Sequence, residues 1–255
     1  MPTTETKSAP STVDAREIAK FEAMADAWWD PDGKFRPLHA MNPCRIDYIA
    51  KMIAAEFGRD RRQRRPFAGL TLADVGCGGG LASEPMARLG CAVTGYDAAE
   101  DSLAIARLHA AQSGLTIDYR AETAEEAAAN GAAFDVVIAL EIVEHVADVP
   151  AFADALSRML RPGGLLVMST LNRTAKSFAT AIVGAEHIMR WLPVGTHDWR
   201  KFPTPKELEA ALAATGLDVV DARGMVPDLR RGGWRIDMDD LSVNYIMTAV
   251  RPVAA

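Results

Sequence analysis

The chain has 255 residues, 49% of them apolar, with 28 basic against 34 acidic side chains and a formal charge of −6. That is enough for one sizeable core and suits a single α/β domain, while the acidic balance argues against nucleic acid as a partner, since duplex-binding domains are ordinarily basic. Three widely spaced cysteines, Cys44, Cys77 and Cys91, form no C-x-x-C, which argues against a disulfide framework or a cysteine zinc site and points to a reducing, cytoplasmic compartment.

Residues 1–13 are polar and rich in Thr, Ser and Pro. They lack the apolar core of a signal peptide and read as a disordered tail. No stretch reaches the roughly 18 uninterrupted apolar residues of a membrane-spanning helix. Residues 14–65 read as a helical cap and linker. Asp14 starts a helix to about Trp29, with Ile18, Phe21, Ala25 and Trp28 or Trp29 in phase, and Pro31-Asp32-Gly33 stops it. A second helix is predicted over 43–57, with Ile46, Ile49, Ile53 and Phe57 on one face. Residues 58–66 carry five arginines in nine positions. They form either a solvated linker or a patch for phosphate or lipid headgroups.

From residue 66 to 255 a single domain is predicted, in which strands and helices alternate. Strands fall at 70–75, 92–96, 116–119, 134–140 and 165–170. Helices fall at 81–89, 100–112, 122–130 and 149–160. Such alternation implies right-handed βαβ units and a parallel sheet with helices on both faces. The run Phe134-Asp135-Val136-Val137-Ile138-Ala139-Leu140 is the most apolar and belongs at the centre. An insertion at 171–202 interrupts the order, which resumes with a helix at 205–215 and a strand at 217–223. The connection 227–240, broken by Gly232-Gly233, is too short for a helical crossover. The last strand, 243–250, is therefore predicted to run antiparallel.

Asp74-Val75-Gly76-Cys77-Gly78-Gly79-Gly80 follows the first strand and precedes a helix. Its glycines let a backbone turn tightly and approach a ligand. The loop suits a dinucleotide pyrophosphate, a nucleoside or a plain tight turn, but its spacing is G-x-G-G-G, not the G-x-G-x-x-G of nicotinamide enzymes. The second strand ends on Asp97, 21 residues beyond Gly76. A carboxylate there can accept both ribose hydroxyls of an adenosine, or simply close a turn.

Glu141-Ile142-Val143-Glu144-His145 leaves the central strand at the same edge. Glu141, Glu144 and His145 can converge on a hard divalent ion such as Mg²⁺ if the segment turns. Equally, the two acids can cap a helix while His145 packs. In the insertion, Phe178, Ile182, Ala185, Met189 and Leu192 recur at helical spacing, flanked by Lys176, Arg190, Trp191, Trp199, Arg200 and Lys201. This reads as a helix packed over the site, as an interfacial lid meeting a membrane, or as both. His187 and His197 lie in it.

Three of these segments, Asp74 to Gly80, Thr94-Gly95-Tyr96-Asp97 and Leu160-Arg161-Pro162-Gly163-Gly164, resemble class I S-adenosylmethionine methyltransferases. More narrowly, EIAKFEAMADAWWD at 17–30, RPLHAMNPCRIDYI at 36–49, LEIVEHV at 140–146 and the STLNR…GTHD stretch of 169–198 resemble the ubiquinone-biosynthesis O-methyltransferases. The resemblance covers about residues 16–250. It implies a Rossmann-like fold, a mostly parallel sheet with an antiparallel last strand. It also implies methylation of phenolic hydroxyls on polyprenylated catechol or hydroquinol intermediates; another small-molecule acceptor is the alternative.

By that resemblance Gly76, Gly78 and Asp97 line S-adenosylmethionine, Leu140 meets it through its backbone, Arg45 reaches its methionine carboxylate and Glu122 lies on the adenine side. Glu141, Glu144 and His145 would hold the metal, with His145 and Glu141 as the catalytic pair. Expected partners are the polyprenyl phenol or quinol, an anionic membrane surface met peripherally on its inner face, and a complex of the same pathway. The chemistry to be served is demanding. A phenol has a pKa near 10, so ionising it at pH 7 costs roughly 4 kcal/mol. A positioned base or a divalent cation can lower that cost.

Overall fold

Eight strands form one sheet in the order β3-β2-β1-β4-β5-β8-β6-β7. In the computed structural model, residues 28–33, 35–180, 198–228, 230 and 232–253 are described. The strands are β1 (Thr71–Val75), β2 (Ala92–Tyr96), β3 (Asp118–Arg120), β4 (Phe134–Leu140), β5 (Leu160–Leu171), β6 (Asp218–Pro227), β7 (Trp234–Asp237) and β8 (Asn244–Val250). β1 to β5 pair in parallel. β8 is antiparallel to both neighbours, β5 and β6, as the short 227–240 connection requires.

The central strands alternate between two cores, because successive side chains point to opposite faces. On one face Val75, Val137, Ala139, Leu166, Met168 and Tyr245 pack under α4 (Ala124–Ala129), α5 (Val149–Arg158) and α6 (Pro205–Ala213). On the other, Leu72, Val136, Ile138, Leu165, Val167 and Ile246 pack under α1 (Arg36–Glu56) and α2 (Ser83–Arg88). α3 (Glu100–Gln112) closes a smaller cluster with Cys77 and Tyr119. Local signals set the helix starts: Thr123 and Thr204 form capping boxes with Glu126 and Glu207, and Asp148 accepts from the Ala151 N–H.

Two elements differ from the sequence expectation. α1 begins at Arg36, not at 43, and runs through Pro43. Pro37 lies in its first turn, where the missing N–H costs nothing, and tertiary packing overrides the interior proline. β7 lies inside the stretch read as a broken connection. Despite Gly232 and Gly233 it pairs antiparallel with β6, and its Trp234 and Ile236 pack against the α1 core. The predicted helix over 14–29 lies outside the described residues except for its end at Trp28 and Trp29, as does most of the 171–202 insertion. Among the described residues no helix is long and apolar enough to cross a membrane.

One glycine inside the sheet is a steric requirement. A Cβ on Gly95 would lie 2.5 Å from Tyr119 Cδ1 and 2.9 Å from Cys77 Sγ. The Tyr119 ring cannot retreat along its length, since its hydroxyl abuts Gly80, where a Cβ would collide with it as well. Gly95→Ala is expected to lower unfolding free energy by about 1–3 kcal/mol, as overpacking does, read as a shift of the urea midpoint at constant slope.

Candidate active site

The site is built where β1, β2 and β4 end side by side. Leaving β1, the chain enters the left-handed region at Gly76 (φ 71°), Gly78 (φ 49°) and Gly80 (φ 87°), a conformation that suits glycine because it has no Cβ. The loop is fastened from below. Gly76 and Cys77 donate their N–H groups to the Tyr96 carbonyl at 2.8 and 3.0 Å. Asp97 Oδ2 accepts from Gly78 N–H at 2.8 Å and Oδ1 from Ala99 N–H at 2.9 Å. The expected pair of glycine loop and strand-end carboxylate is thus one hydrogen-bonded unit.

A second layer comes from the chain ahead of the sheet, and sequence reasoning gave it no role beyond Arg45. Trp29 Nε1 donates to the Gly79 carbonyl at 2.8 Å, and Asn42 Nδ2 to the Leu81 carbonyl at 2.7 Å. Asn42 Oδ1 in turn accepts from Arg45. The Trp29 ring stacks on His109 with centroids 3.5 Å apart, and His109 Nδ1 meets the fully buried Glu84 at 2.5 Å. The tryptophan pair sits too far along the chain from the loop for any local pattern to reveal this.

At the end of β4 the backbone turns sharply. Glu141 has φ 53°, the one positive value on a non-glycine among the described residues, a conformation costing about 1–2 kcal/mol. A 3₁₀ turn, Val143–His145, follows. Glu141 Oε1 accepts from the Ser169 hydroxyl at 2.7 Å and stands 3.9 Å from the Arg45 guanidinium. Glu144 Oε2 accepts from the Thr170 hydroxyl at 2.7 Å, while its Oε1 is buried with no hydrogen-bond partner. Burial, and then the charge of Glu141, hold the Glu144 carboxyl well above the usual carboxylate range. Burial lowers the affinity of Arg45 for its proton, against the pull of Glu141, Asp74 and Glu144. Asp74, buried and accepting from Ser83, is pushed up to about 6 by its burial.

The other expected residues fall in place around this edge. Leu140 closes β4, paired with Ser169. Glu122 lies just beyond β3, its Oε2 accepting from Asn130 at 3.3 Å. His145 is buried, its N–H donating to the Ile142 carbonyl. Among the described residues no three His, Cys, Asp or Glu side chains are grouped around one point; Glu141 and Glu144 each accept one hydroxyl, from Ser169 and Thr170, and the 3₁₀ turn carries Glu144 and His145. His187 and His197 lie outside the described residues. Ser169 and Thr170 were visible as a motif, but their role as carboxylate partners needs the β4–β5 pairing.

A mostly parallel sheet with a reversed last strand, a glycine loop after β1 and an acid after β2 define a class I, S-adenosylmethionine-dependent methyltransferase. The model of a family described as a methyltransferase domain matches residues 45–222. The fold is shared with magnesium protoporphyrin IX methyltransferase from Synechocystis PCC 6803 with bound S-adenosylmethionine, at TM-score 0.62 and 17% identity over 96% of this chain and all of that one. Among curated relatives, the ubiquinone biosynthesis O-methyltransferase of Cereibacter sphaeroides is 62% identical over 245 residues, covering 96% of this chain and 99% of that protein. The enzyme of the same name from Dinoroseobacter shibae is 58% identical, covering 94% and 97%. The chain belongs to the ubiquinone biosynthesis O-methyltransferases.

Proposed function

We propose that this chain moves a methyl group from S-adenosylmethionine to the phenolic hydroxyls of polyprenylated catechol and hydroquinol intermediates, 2-polyprenyl-6-hydroxyphenol and 3-demethylubiquinol. The near full-length likeness to ubiquinone biosynthesis O-methyltransferases supports the acceptor class. The observation that carries the mechanism is Glu144, a buried carboxyl with raised proton affinity and one oxygen left without a partner.

S-adenosylmethionine, when bound, supplies a methyl group on a cationic sulfur. The chain's own residues do the rest. Gly76 and Gly78 give the loop the left-handed turns that bring its backbone to the donor, Asp97 accepts from its ribose, and Arg45 faces its carboxylate. Leu140 offers backbone, and Glu122 flanks the adenine side. Holding donor and acceptor in line supplies roughly 7–11 kcal/mol of the barrier reduction. The phenolic proton goes to the Glu141–Glu144–His145 edge, with Glu144 Oε1 receiving it. A base whose pKa is raised toward that of the phenol needs less uphill transfer than an ordinary carboxylate. Glu141 keeps that affinity high, and His145 borders the same turn.

A divalent ion on the acceptor oxygens is the second reading of this edge: Glu141, Glu144 and His145 would hold it, Glu144 then binding the ion through the oxygen that has no partner in place of receiving the proton, and oxygen donors suit Mg²⁺. Peripheral contact of the 171–202 segment with a lipid surface is supported by the half-exposed Phe178, which meets Trp199 edge to face at 5.9 Å. One assay tests all three: purified protein, labelled S-adenosylmethionine and a short-tail catechol, with Mg²⁺ or excess EDTA, free or in anionic vesicles. Methylated catechol is the expected product. No label on the phenol would refute the acceptor, full turnover in EDTA the ion, and indifference to the vesicles the lipid contact.

A further inference from the structure

We propose that Trp28 is a binding residue for the cofactor, its indole N–H donating to the methionine carboxylate of S-adenosylmethionine. The ring lies directly on the glycine loop. A Cβ on Gly78 would sit 2.6 Å from Trp28 Cζ2, and one on Gly79 would sit 2.7 Å from Trp28 Cβ. No side chain separates ring from loop.

The ring is held there from several sides. Phe35 stacks on it at 3.9 Å with planes 7° apart. The Trp28 carbonyl meets His39 Nε2 at 2.7 Å, and the next residue, Trp29, is bonded to Gly79. Trp28 is only 8% exposed, yet its Nε1 has no hydrogen-bond partner. Buried indole N–H groups ordinarily find an acceptor, and leaving one without is costly. A rigidly placed donor against a ligand loop, lacking an acceptor, is a donor waiting for its ligand.

The chemistry of that ligand group follows from the company it keeps. Arg45 reaches the same loop through Asn42, which accepts from it and bonds the Leu81 carbonyl; it is 3% exposed, and although Asn42 and Glu141 face its terminal nitrogens its Nε has no partner. A free N–H on a buried cation and a free indole N–H at one loop suit an anionic acceptor. In S-adenosylmethionine the anionic group is the carboxylate. Asp97 cannot serve both ends, since a carboxylate accepts and suits the ribose hydroxyls instead. Trp28 thus divides the work with Asp97 along the loop, one binding the amino-acid end and the other the sugar.

The inference rests on S-adenosylmethionine being the donor, and the test separates the two. The probes are S-adenosylhomocysteine, which has the carboxylate, and 5′-methylthioadenosine, which lacks it. Trp28→Phe keeps the ring stacked on Phe35 and removes only the donor. It is expected to weaken S-adenosylhomocysteine binding roughly tenfold to a hundredfold by calorimetry, since the acceptor is charged. Binding of 5′-methylthioadenosine should be unchanged. Equal affinity of variant and wild type for S-adenosylhomocysteine overturns the proposal, and so does a parallel loss for both ligands, which would mark a packing role. A readout on the wild-type protein needs no variant to fold: the Trp28 indole ¹H–¹⁵N resonance should move with S-adenosylhomocysteine and stay with 5′-methylthioadenosine. Identical movement with both overturns it as well. Failure of the wild type to bind either ligand would instead defeat the cofactor assignment, and this inference with it.

Discussion

Glu144→Gln is expected to lower kcat by roughly 100- to 10,000-fold, the range of a lost general base, with S-adenosylhomocysteine affinity unchanged. The amide oxygen of the variant can still accept from the Thr170 hydroxyl that now serves Oε2, so the edge keeps its shape and loses only its proton acceptor. The sign of the pH effect follows from the electrostatics. A base must be ionised to act, so the wild-type rate should rise with pH through a pKa that burial and Glu141 have raised. Glu141→Gln removes the neighbouring negative charge, making ionisation of Glu144 easier, and should move that rise to lower pH. Thr170→Val removes a hydrogen bond that favours the ionised form and should move it to higher pH. Rate profiles of the three variants measure this, with the phenol's own ionisation near pH 10 as the remaining limb in Glu144→Gln. An unmoved profile in both neighbours' variants would assign the proton to another group, His145 first.

Asp97→Asn carries the second large effect, and it is an effect on binding. In the wild type both carboxylate oxygens accept backbone N–H groups, from Gly78 and from Ala99. An asparagine has one acceptor oxygen, and its NH₂ must then face the other N–H, donor against donor. The loop loses a fastening just where the ribose is to be bound. Two charge-assisted contacts to sugar hydroxyls weaken at the same time. Each hydrogen bond to a charged group contributes about 1.5–3 kcal/mol, so a loss of S-adenosylhomocysteine affinity of at least about 100-fold is expected in calorimetry. A melting temperature lowered even without ligand would report the freed loop. Unlike Trp28→Phe, this variant should weaken 5′-methylthioadenosine as well, because that ligand keeps the ribose.

Much of this protein was readable without coordinates because its signals are local. The alternating apolar runs placed β1, β2, β4 and β8, and the short 227–240 connection predicted the reversed last strand. The glycine spacing and Asp97 marked a nucleoside site, since a βα turn needs only neighbouring residues to form it. Composition and spacing could not say which acceptor is methylated; the segments around Trp28, Glu141 and Ser169 did so through their likeness to a family.

What only the tertiary structure decided depends on residues far apart in the chain. β7 forms across Gly232-Gly233 because β6 offers it a partner and the α1 core covers Trp234, gains that no local propensity registers. Helix α1 runs through Pro43 for the same reason. The acidic cluster turned out as two carboxylates each bonded to a hydroxyl of the adjacent strand, Ser169 and Thr170, with Arg45 from the first helix beside Glu141. Trp28 and Trp29, of which the sequence could place only one on a helix face, both meet a loop some 50 residues later, Trp29 bonding to Gly79 and Trp28 lying against Gly78. Periodicity determines what an element buries. Which element it meets, and so which donor or carboxyl is left without a partner for a ligand to satisfy, is settled by packing alone.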